Sequence, residues 1–325
     1  MKKRPQKTLA FRPGHARRAL AACAGAGAAL TGYMLFEAQW LQVRRLELDI
    51  PGLPQELAGM RILHASDLHA GAPGPGSRAL DKFIAAAKDC DPDLVLFTGD
   101  MTDKKKELGP YVSRLGEIGA RYGKFAVLGN HDHGLRKTVM QDLALKLLGR
   151  GHRGAREAPD GSRQAATISR TRELLSRAGV ELLANECRSV EMGGGKVQVC
   201  GIDDFQYGYG DLAAAKRQFD DAADLRILLS HSPDAVAGLE SGDYQLVLAG
   251  HTHGGQICIP RPGGKILLSS SGSDYGDGVY RTGAAIMHVS RGVGTTLLPF
   301  RLLSRPEVTV IRLAAGTGAG TSPAC

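Results

Sequence analysis

Apolar runs that alternate with amphipathic segments constrain the fold of this chain more than any other feature. The runs RILHASDLH (61–69), DLVLFTGD (93–100) and KFAVLGN (124–130) each have the length and the bounding turn residues of a buried strand. Between them, RALDKFIAAAKDC (78–90) and YVSRLGEIGA (111–120) place apolar residues at helical spacing. Because short connections favour parallel pairing and right-handed crossovers, this half predicts a βαβαβ unit.

The second half of the chain is richer in strands. Its apolar runs are VELLANE, KVQVCGIDD, LRILLSH, YQLVLAGH, KILLSSSG, AAIMHVS and EVTVIRL. Two packed sheets would use all of them, so we predict an α/β fold built as a two-sheet β-sandwich flanked by helices. The stretch 134–167 between the halves is polar and rich in arginine, and we interpret it as a basic surface insertion with one amphipathic stretch at 139–148.

The N-terminal region contains an uncharged run, ALAACAGAGAALTGYMLF (19–36), close to the lower length limit of a membrane-spanning helix. Basic residues precede the run and Glu37 follows it. By the positive-inside rule this asymmetry places the N-terminus in the cytoplasm and the rest of the chain across the membrane. A cleaved signal peptide and a buried helix of a soluble protein are the alternatives.

The expected organisation follows from these segments. It comprises a basic segment (1–18), an anchor or uncleaved signal (19–36), a linker with a first strand (37–59), one globular domain (60–313) and a flexible tail (314–325).

Charge and cysteine usage exclude several classes of protein. The net charge of +8 does not indicate nucleic-acid binding, because the excess lies in the N-terminal segment and in 136–170, and only 5% of residues are aromatic. The cysteines show no CxxC or metal-finger spacing, so zinc fingers and thioredoxin-like proteins are excluded. Isolated buried thiols are the favoured state, although an exported domain would permit disulfides.

Side chains that can bind metals follow the predicted strands. They are Asp67 and His69 in SDLH, Asp100 in TGDMTD, Asn130 and His131 in LGNHDH, His231 in LLSHSPD, and His251 and His253 in AGHTH. In α/β sheets ligands bind outside the carboxyl ends of the strands, so these residues can converge on one site. Carboxylate oxygen and imidazole nitrogen suit Mn, Fe or Zn, and one Asp can bridge two ions. The glycines that precede three of these residues would let backbone and ions approach closely.

Each of these residues also has an ordinary structural explanation. Asp67 alone could cap a helix, Asn130 could be a turn residue, and the SPD after His231 is a plausible helix start. Coincidence would have to operate at every one of the strand ends together. The combination therefore favours one metal site.

The motifs DLH, GDMTD, GNHD, HSPD and GHTHGGQ, in this order, resemble the motif set of the calcineurin-like metallophosphoesterases over roughly residues 60–313. The closing stretch from YGDG (275–278) and the N-terminal anchor are similar to the bacterial membrane-associated YkuE-like and YaeI-like phosphohydrolases. The resemblance implies two divalent metal ions and hydrolysis of a phosphoester by a hydroxide that bridges them.

The resemblance also implies a role for each motif residue. One ion would be held by Asp67, His69 and His253. The other ion would be held by Asn130, His231 and His251. Asp100 would bridge the two. His131 would contact the phosphoryl oxygen or protonate the leaving group, and Asp103 would orient the His131 ring. Asp132 and His133 would support the site from behind or lie on the surface.

Such a site does not determine the substrate, because specificity in these enzymes lies in the surrounding loops. The candidate substrate-binding residues are basic residues of the insertion: Arg136, Lys137, Arg150 and Arg153. A solvated basic face is the alternative explanation for them. Since the anchor would keep the domain near lipids, we expect a membrane-anchored enzyme with its catalytic domain on the extracytoplasmic side, acting on a phosphodiester of lipid or cell-envelope type.

Two other functions remain open. The first is UDP-diacylglucosamine pyrophosphatase of lipid A biosynthesis, whose common soluble form carries an arginine at the position of His131 and would require a cytoplasmic site. The second is a catalytically silent, metal-binding membrane scaffold. A scaffold would have no need of His131 and Asp103, which disfavours it.

Overall fold

The computed structural model describes residues 13–71, 76–102, 108–135, 161–262, 264–269 and 273–316. Two six-stranded sheets dominate these regions. The first sheet has the spatial order β1 (Gln42–Pro51), β14 (Glu307–Gly316), β2 (Arg61–Ala65), β3 (Leu94–Thr98), β4 (Gly123–Val127) and β5 (Glu181–Leu182). The second has the order β12 (Gly278–Arg281), β13 (Ile286–Val289), β9 (Leu246–Ala249), β8 (Leu225–Leu229), β7 (Gly195–Gly201) and β6 (Glu186–Met192). A separate hairpin contains β10 (Gly255–Arg261) and β11 (Gly264–Ser269).

Side chains alternate between the two faces of each strand, so the apolar residues of one strand pack in two different layers. In β3, Leu94 and Leu96 face the core between the two sheets, whereas Val95 and Phe97 face the helices outside the first sheet. Successive side chains of a strand point to opposite faces, so a strand buried on both sides reads as a continuous apolar run. The structure therefore confirms the α/β sandwich flanked by helices.

Helices cover the outer faces of the sheets, apart from the N-terminal helix, which is mostly exposed. In chain order the helices of the described residues are α1 (Pro13–Glu37), α2 (Gly76–Lys88), α3 (Leu108–Leu115), α4 (Gly161–Ser176) and α5 (Leu212–Lys216). The βαβαβ prediction is confirmed, because β2, β3 and β4 are parallel neighbours joined through α2 and α3. Helix α3 ends before the predicted residue 120, at a point where Gly116 follows directly. Glycine loses more backbone entropy than other residues in a helix, which favours this stop.

Helix α4 was not predicted. Its first residues were assigned to the basic insertion, but Thr167, Thr171 and Leu175 are buried and the helix packs beside β5. The predicted amphipathic stretch 139–148 lies outside the described residues. Strands β6, β10 and β12 were also not predicted, because their apolar residues alternate weakly or are interrupted by glycine.

Helix α1 contains a stretch of 21 residues, Arg17–Glu37, that is long and apolar enough to cross a membrane by length and composition, and its apolar 18-residue window is not buried in the protein. This exposure does not fit a helix buried in a soluble core. The end of α1 joins the globular domain, because Glu37 is buried and its Oε1 accepts a hydrogen bond from Ser304 N at 2.8 Å.

One disulfide corrects the expectation of isolated thiols. Cys187 of β6 and Cys200 of β7 face each other across an antiparallel pair and are bonded. The pairing depends on a strand register that the sequence does not reveal, since β6 was not recognised as a strand. The remaining described cysteines, Cys23, Cys90 and Cys258, are not disulfide-bonded.

Candidate metal centre

The candidate ligands lie at one edge of the sandwich, where parallel strands of both sheets end. Asp67 and His69 follow β2, and Asp100 follows β3. His131 follows β4 from the same sheet, while the second sheet contributes His231 after β8 and the GHTH motif after β9. The carboxyl ends of parallel strands meet at one edge, which is where ligands bind in such folds.

The side chains form two adjoining groups, and a third group of His69, Asp100 and His131 overlaps both of them. In the first, Asp67, His69 and His253 place their ligand atoms within 4.8 Å of one another. The Nε2 atoms of His69 and His253 are 3.1 Å apart, and His253 Nε2 is 3.3 Å from Asp67 Oδ1. Imidazole and carboxylate together form a donor set that suits a divalent transition metal.

The second group has the same chemistry. It consists of Asp100, His231 and His251, again within 4.8 Å. His231 Nε2 is 3.2 Å from Asp100 Oδ2 and 3.0 Å from His251 Nδ1. Asp100 Oδ2 is also only 3.6 Å from His69 Nε2, so this carboxylate lies between the two groups.

Buried polar atoms without partners test whether a cation fits here. Among the described residues, Asp67 Oδ1 and Asn130 Oδ1 are buried and accept no hydrogen bond. The amide nitrogen of Asn130 is held by Leu135 O at 2.9 Å, which leaves the oxygen of the amide as the free end. A buried oxygen without a donor is costly unless a cation or another donor satisfies it. The residues present therefore fit metal ions.

The backbone at the ligands is strained. Positive φ angles occur at Asp67 (50°), His69 (43°), Asp100 (50°), His251 (71°) and His253 (53°). Non-glycine residues seldom adopt this left-handed conformation, and strained residues cluster at functional sites.

Glycines leave room for this arrangement. A Cβ atom on Gly250 would lie 1.8 Å from Ser66 Oγ, and one on Gly129 would lie 2.3 Å from Asp100 Oδ1. A Cβ on Gly99 would lie 2.6 Å from His231 Nδ1. The backbone at these glycines therefore lies close to the candidate ligands, and the approach of ions stays a prediction.

The carboxylates and imidazoles control one another's protonation. Burial raises the pKa of Asp67. Burial acts in the same direction on Asp100, but the neighbouring imidazoles of His231, His131 and His69 together outweigh it and hold the pKa of Asp100 well below its usual range. Although burial by itself lowers the pKa of His231, the Asp100 carboxylate raises it to about 10. Burial, together with His69 and Arg301, holds the pKa of His253 well below its usual value, which keeps that ring in the neutral, metal-binding form.

Buried hydrogen bonds orient the ligands. His231 Nδ1 donates to Thr98 O at 2.7 Å, which directs Nε2 toward the site. Backbone N–H groups of His251 and His131 donate to Asp67 Oδ2 (3.0 Å) and Asp100 Oδ1 (2.8 Å).

The helix-start interpretation of the SPD after His231 is also correct. Ser232 caps the 3-10 helix Pro233–Gly238 and accepts a hydrogen bond from Asp234 N. The SPD stretch therefore begins a helix, and His231 just before it also belongs to the cluster of candidate ligands.

Asp132 and His133 lie behind the cluster, fully inside the protein. Asp132 accepts hydrogen bonds from the N–H groups of Gly129 and Met101 and so ties the loop after β4 to the loop after β3. His133 Nε2 is 2.7 Å from Asp203 Oδ1. Neither residue is on the surface, which was one of the two expectations for them.

His131 lies at the rim of the cluster. Its ring packs edge-on against His69 with centroids 4.6 Å apart, and its Nε2 is 3.3 Å from Thr296 Oγ1. Asp103, predicted to orient this ring, lies outside the described residues, as do Arg136, Lys137, Arg150 and Arg153.

Sequence reasoning missed Thr296 and Arg301. Arg301 is fully buried, and its guanidinium donates to the carbonyl oxygens of Gly292, Gly294 and Ser304 at 3.1 Å or less. The signal in the sequence was an arginine inside the apolar stretch LLPFRLL. A buried arginine needs several acceptors, so such a residue predicts a polar organising centre.

Comparison with known proteins identifies the family. The model of the calcineurin-like phosphoesterase family matches residues 60–255. The uncharacterized metallophosphoesterase YkuE of Bacillus subtilis is 30% identical over 80% of this chain and 81% of its own length. Phosphodiesterase YaeI of Escherichia coli is 28% identical over 87% of this chain and 92% of its own length. UDP-2,3-diacylglucosamine pyrophosphatase LpxG of Chlamydia trachomatis is 27% identical over 85% of this chain and 90% of its own length. The chain therefore belongs to the calcineurin-like phosphoesterase family, in the branch of bacterial metallophosphoesterases that includes YkuE and YaeI.

Proposed function

We propose that this protein is a membrane-anchored, dinuclear metal-dependent phosphohydrolase that cleaves a phosphodiester of lipid or cell-envelope type. The observation that carries the proposal is the position of Asp100 between two groups of ligands. Its Oδ2 is 3.2 Å from His231 Nε2 in one group and 3.6 Å from His69 Nε2 in the other. A carboxylate between two clusters is what a pair of neighbouring metal ions requires.

We assign the ligands as follows. One ion, Mn, Fe or Zn, is held by Asp67, His69 and His253. The second would be held by Asn130, His231 and His251, and Asp100, which lies between the two groups, would contact both ions. The free Oδ1 of Asn130 supports its place in the second set, although this residue is not a carboxylate or imidazole.

Two divalent ions, when bound, supply an activated water nucleophile and neutralise the negative charge of the phosphoryl group. The chain itself contributes His131, whose ring packs against His69 beside the two groups and can donate a proton to a phosphoryl oxygen or to the leaving alkoxide. Thr296 Oγ1, 3.3 Å from His131 Nε2, helps to fix the orientation of that ring. In our proposal, Asp103 also helps to orient the His131 ring.

The Cys187–Cys200 disulfide supports an extracytoplasmic catalytic domain. Disulfides persist in oxidising compartments and are rare in the cytosol. The basic residues before α1 point the same way by the positive-inside rule. The end of α1 is built into the domain through Glu37, which supports an anchor that is retained and not a leader that is removed.

The similarity to LpxG favours a second candidate, hydrolysis of the pyrophosphate of UDP-2,3-diacylglucosamine. Both candidates use the same ligands and the same His131. They differ in the leaving group. They also differ in the compartment, because the disulfide favours an extracytoplasmic site whereas the pyrophosphatase would require a cytoplasmic one.

Hydrolysis by the full-length protein in mild detergent with Mn²⁺ tests the proposal. The substrates are bis(p-nitrophenyl) phosphate, p-nitrophenyl phosphate and UDP-2,3-diacylglucosamine, assayed in parallel. We expect the aryl diester to be cleaved, with a loss of at least about 100-fold in His131→Ala while its metal content is retained. Asp100→Asn should lose metal as well as turnover.

Other outcomes distinguish the alternatives. Selective cleavage of the nucleotide lipid would replace the diester proposal with the pyrophosphatase. Two bound ions with no turnover of any substrate would identify a metal-binding scaffold. Asp100→Asn protein that still binds two ions would contradict the bridging role.

A further inference from the structure

A loop beside the metal centre exposes large apolar side chains. This leucine loop, residues 295–304 between β13 and β14, carries Leu297, Leu298 and Leu303, which are 45%, 40% and 50% exposed in the described part of the chain. Single exposed apolar residues are ordinary, but three on one short loop form a patch of the kind that marks an interaction site.

The loop is held firmly at its base. Arg301 binds the carbonyl oxygens beneath it, and Gln256 Nε2 donates to Thr296 O and Leu298 O, both at 2.9 Å. The backbone of Leu302 forms an isolated parallel β-bridge with Ile257 of β10. The leucines therefore project outward from an ordered base.

Backbone conformation adds an independent observation. Leu297 and Leu303 have positive φ angles of 61° and 54°. A bulky side chain in this left-handed region is an outlier, and glycine or asparagine would fit there with less strain. The two most exposed leucines of the loop thus occupy positions where folding alone disfavours leucine.

The loop is attached to the end of the apolar helix α1. Arg301 N donates to Met34 O at 3.2 Å, and Ser304 N donates to the Glu37 carboxylate. Just beyond the loop, the Arg305 guanidinium stacks on the Trp40 ring at 3.8 Å. Aromatic residues at the end of a spanning helix lie at the level of the lipid headgroups, so the loop lies at that level too.

The same loop also reaches the candidate metal centre. Thr296 Oγ1 is 3.3 Å from His131 Nε2, and Ser304 Oγ donates to His253 O at 2.8 Å. The leucines consequently lie between the end of α1 and the rim of the metal site.

We propose that the leucine loop inserts into the membrane interface and receives the acyl part of a lipid phosphodiester, so that the phosphate reaches the metal centre without leaving the interface. The lipid assignment rests on the proposed function, whereas the insertion rests only on the loop and its attachment to α1. Because the loop is attached to the end of the apolar helix α1, we expect a membrane to cover this surface.

Insertion is tested without any substrate. Trp40 is the single tryptophan of the chain, so Leu298→Trp in a Trp40→Phe background leaves one fluorophore on the loop. The full-length variant is reconstituted into phosphatidylglycerol and phosphatidylethanolamine vesicles with or without brominated acyl chains. We expect blue-shifted emission that brominated lipid quenches by about half or more, as for a side chain at the acyl boundary. The matched control is Tyr122→Trp in the same background, since Tyr122 is 41% exposed just before β4, at the opposite edge of the sheet.

Substrate delivery is tested with two diesters that share one leaving group. These are bis(p-nitrophenyl) phosphate in solution and a diacylglycerol p-nitrophenyl phosphodiester in the vesicles. The double variant Leu297→Asn with Leu303→Asn should keep the solution turnover and the melting temperature, because asparagine tolerates positive φ. Its turnover of the lipid diester should fall by about tenfold or more, since each lost apolar contact with lipid weakens the encounter.

The outcomes separate the two proposals. Loop tryptophan that brominated lipid does not quench overturns the insertion, whether or not the protein hydrolyses the aryl diester. Equal loss of both activities, or of neither, in the double asparagine variant overturns the delivery role. Quenching in a protein that hydrolyses no phosphoester upholds the insertion and defeats the proposed function instead.

Discussion

Replacing Gly250 by alanine tests the geometry of the metal centre at a single atom. Gly250 has no positive φ, so alanine can adopt its backbone conformation. The added Cβ would lie 1.8 Å from Ser66 Oγ and 2.4 Å from Asp67 Oδ2. Ordinary contacts need well over 3 Å, so the hydroxyl must move by more than about 1 Å.

That movement cannot remain local. Ser66 Oγ lies 2.5 Å from Asp67 Oδ2 and 3.1 Å from Thr98 O and donates its single proton within this pair of acceptors, so displacing it disrupts a fully buried network. We expect the free energy of unfolding to fall by about 1–3 kcal/mol, the usual cost of overpacking. Because Asp67 is an assigned ligand, bound metal should fall from about two ions to about one per chain.

The assay combines denaturant unfolding in mild detergent with metal analysis of the purified protein. Gly283→Ala is the matched control, since Gly283 has open space around it and no positive φ. Gly250→Ala protein that keeps its stability, two ions and its turnover would refute the close packing that we describe.

Two further predictions concern stability. Reduction of the Cys187–Cys200 disulfide, or its replacement by Cys187→Ser with Cys200→Ser, should cost about 3 kcal/mol, because the bond closes a loop with a sequence separation of 13. Thermal melts that do not change with reductant would show that the bond is absent. Burial raises the pKa of Asp204 to about 6, so its contribution to stability is present below pH 4 and is lost as the pH rises to about 6. Asp204→Asn should remove this loss. The difference in the free energy of unfolding between variant and wild type should therefore change by about 3 kcal/mol across that pH range. Unfolding curves that give the same difference at every pH would contradict this.

The sequence predicted those parts of the fold whose signals are local. The strands β2, β3 and β4 are continuous apolar runs because they are buried on both faces, and such runs are recognisable without knowledge of the rest of the chain. Helix α4 was missed because its polar surface dominates its composition and only a narrow stripe is buried. Strand β6 was missed for a similar reason, since Met192 is its one fully buried residue.

The candidate ligands could be proposed from the sequence because each follows an apolar strand within four residues. Residues whose role depends on the conformation of the surrounding loop could not be found in this way. Arg301 has its role only because a loop places several carbonyl oxygens around it, and Thr296 only because that loop crosses His131. Neither arrangement leaves a spacing in the sequence.

The position of β14 has a consequence for biosynthesis. Strand β1 directly follows α1, yet among the described strands its sheet partner is β14, and the pair Glu47 and Arg312 is 265 residues apart in the chain. Strand β1 therefore leaves the ribosome early and must wait unpaired until β14 has been made. If α1 enters the bilayer first, the waiting strand is tethered at the membrane, and the first sheet can be completed only after β14 has left the ribosome.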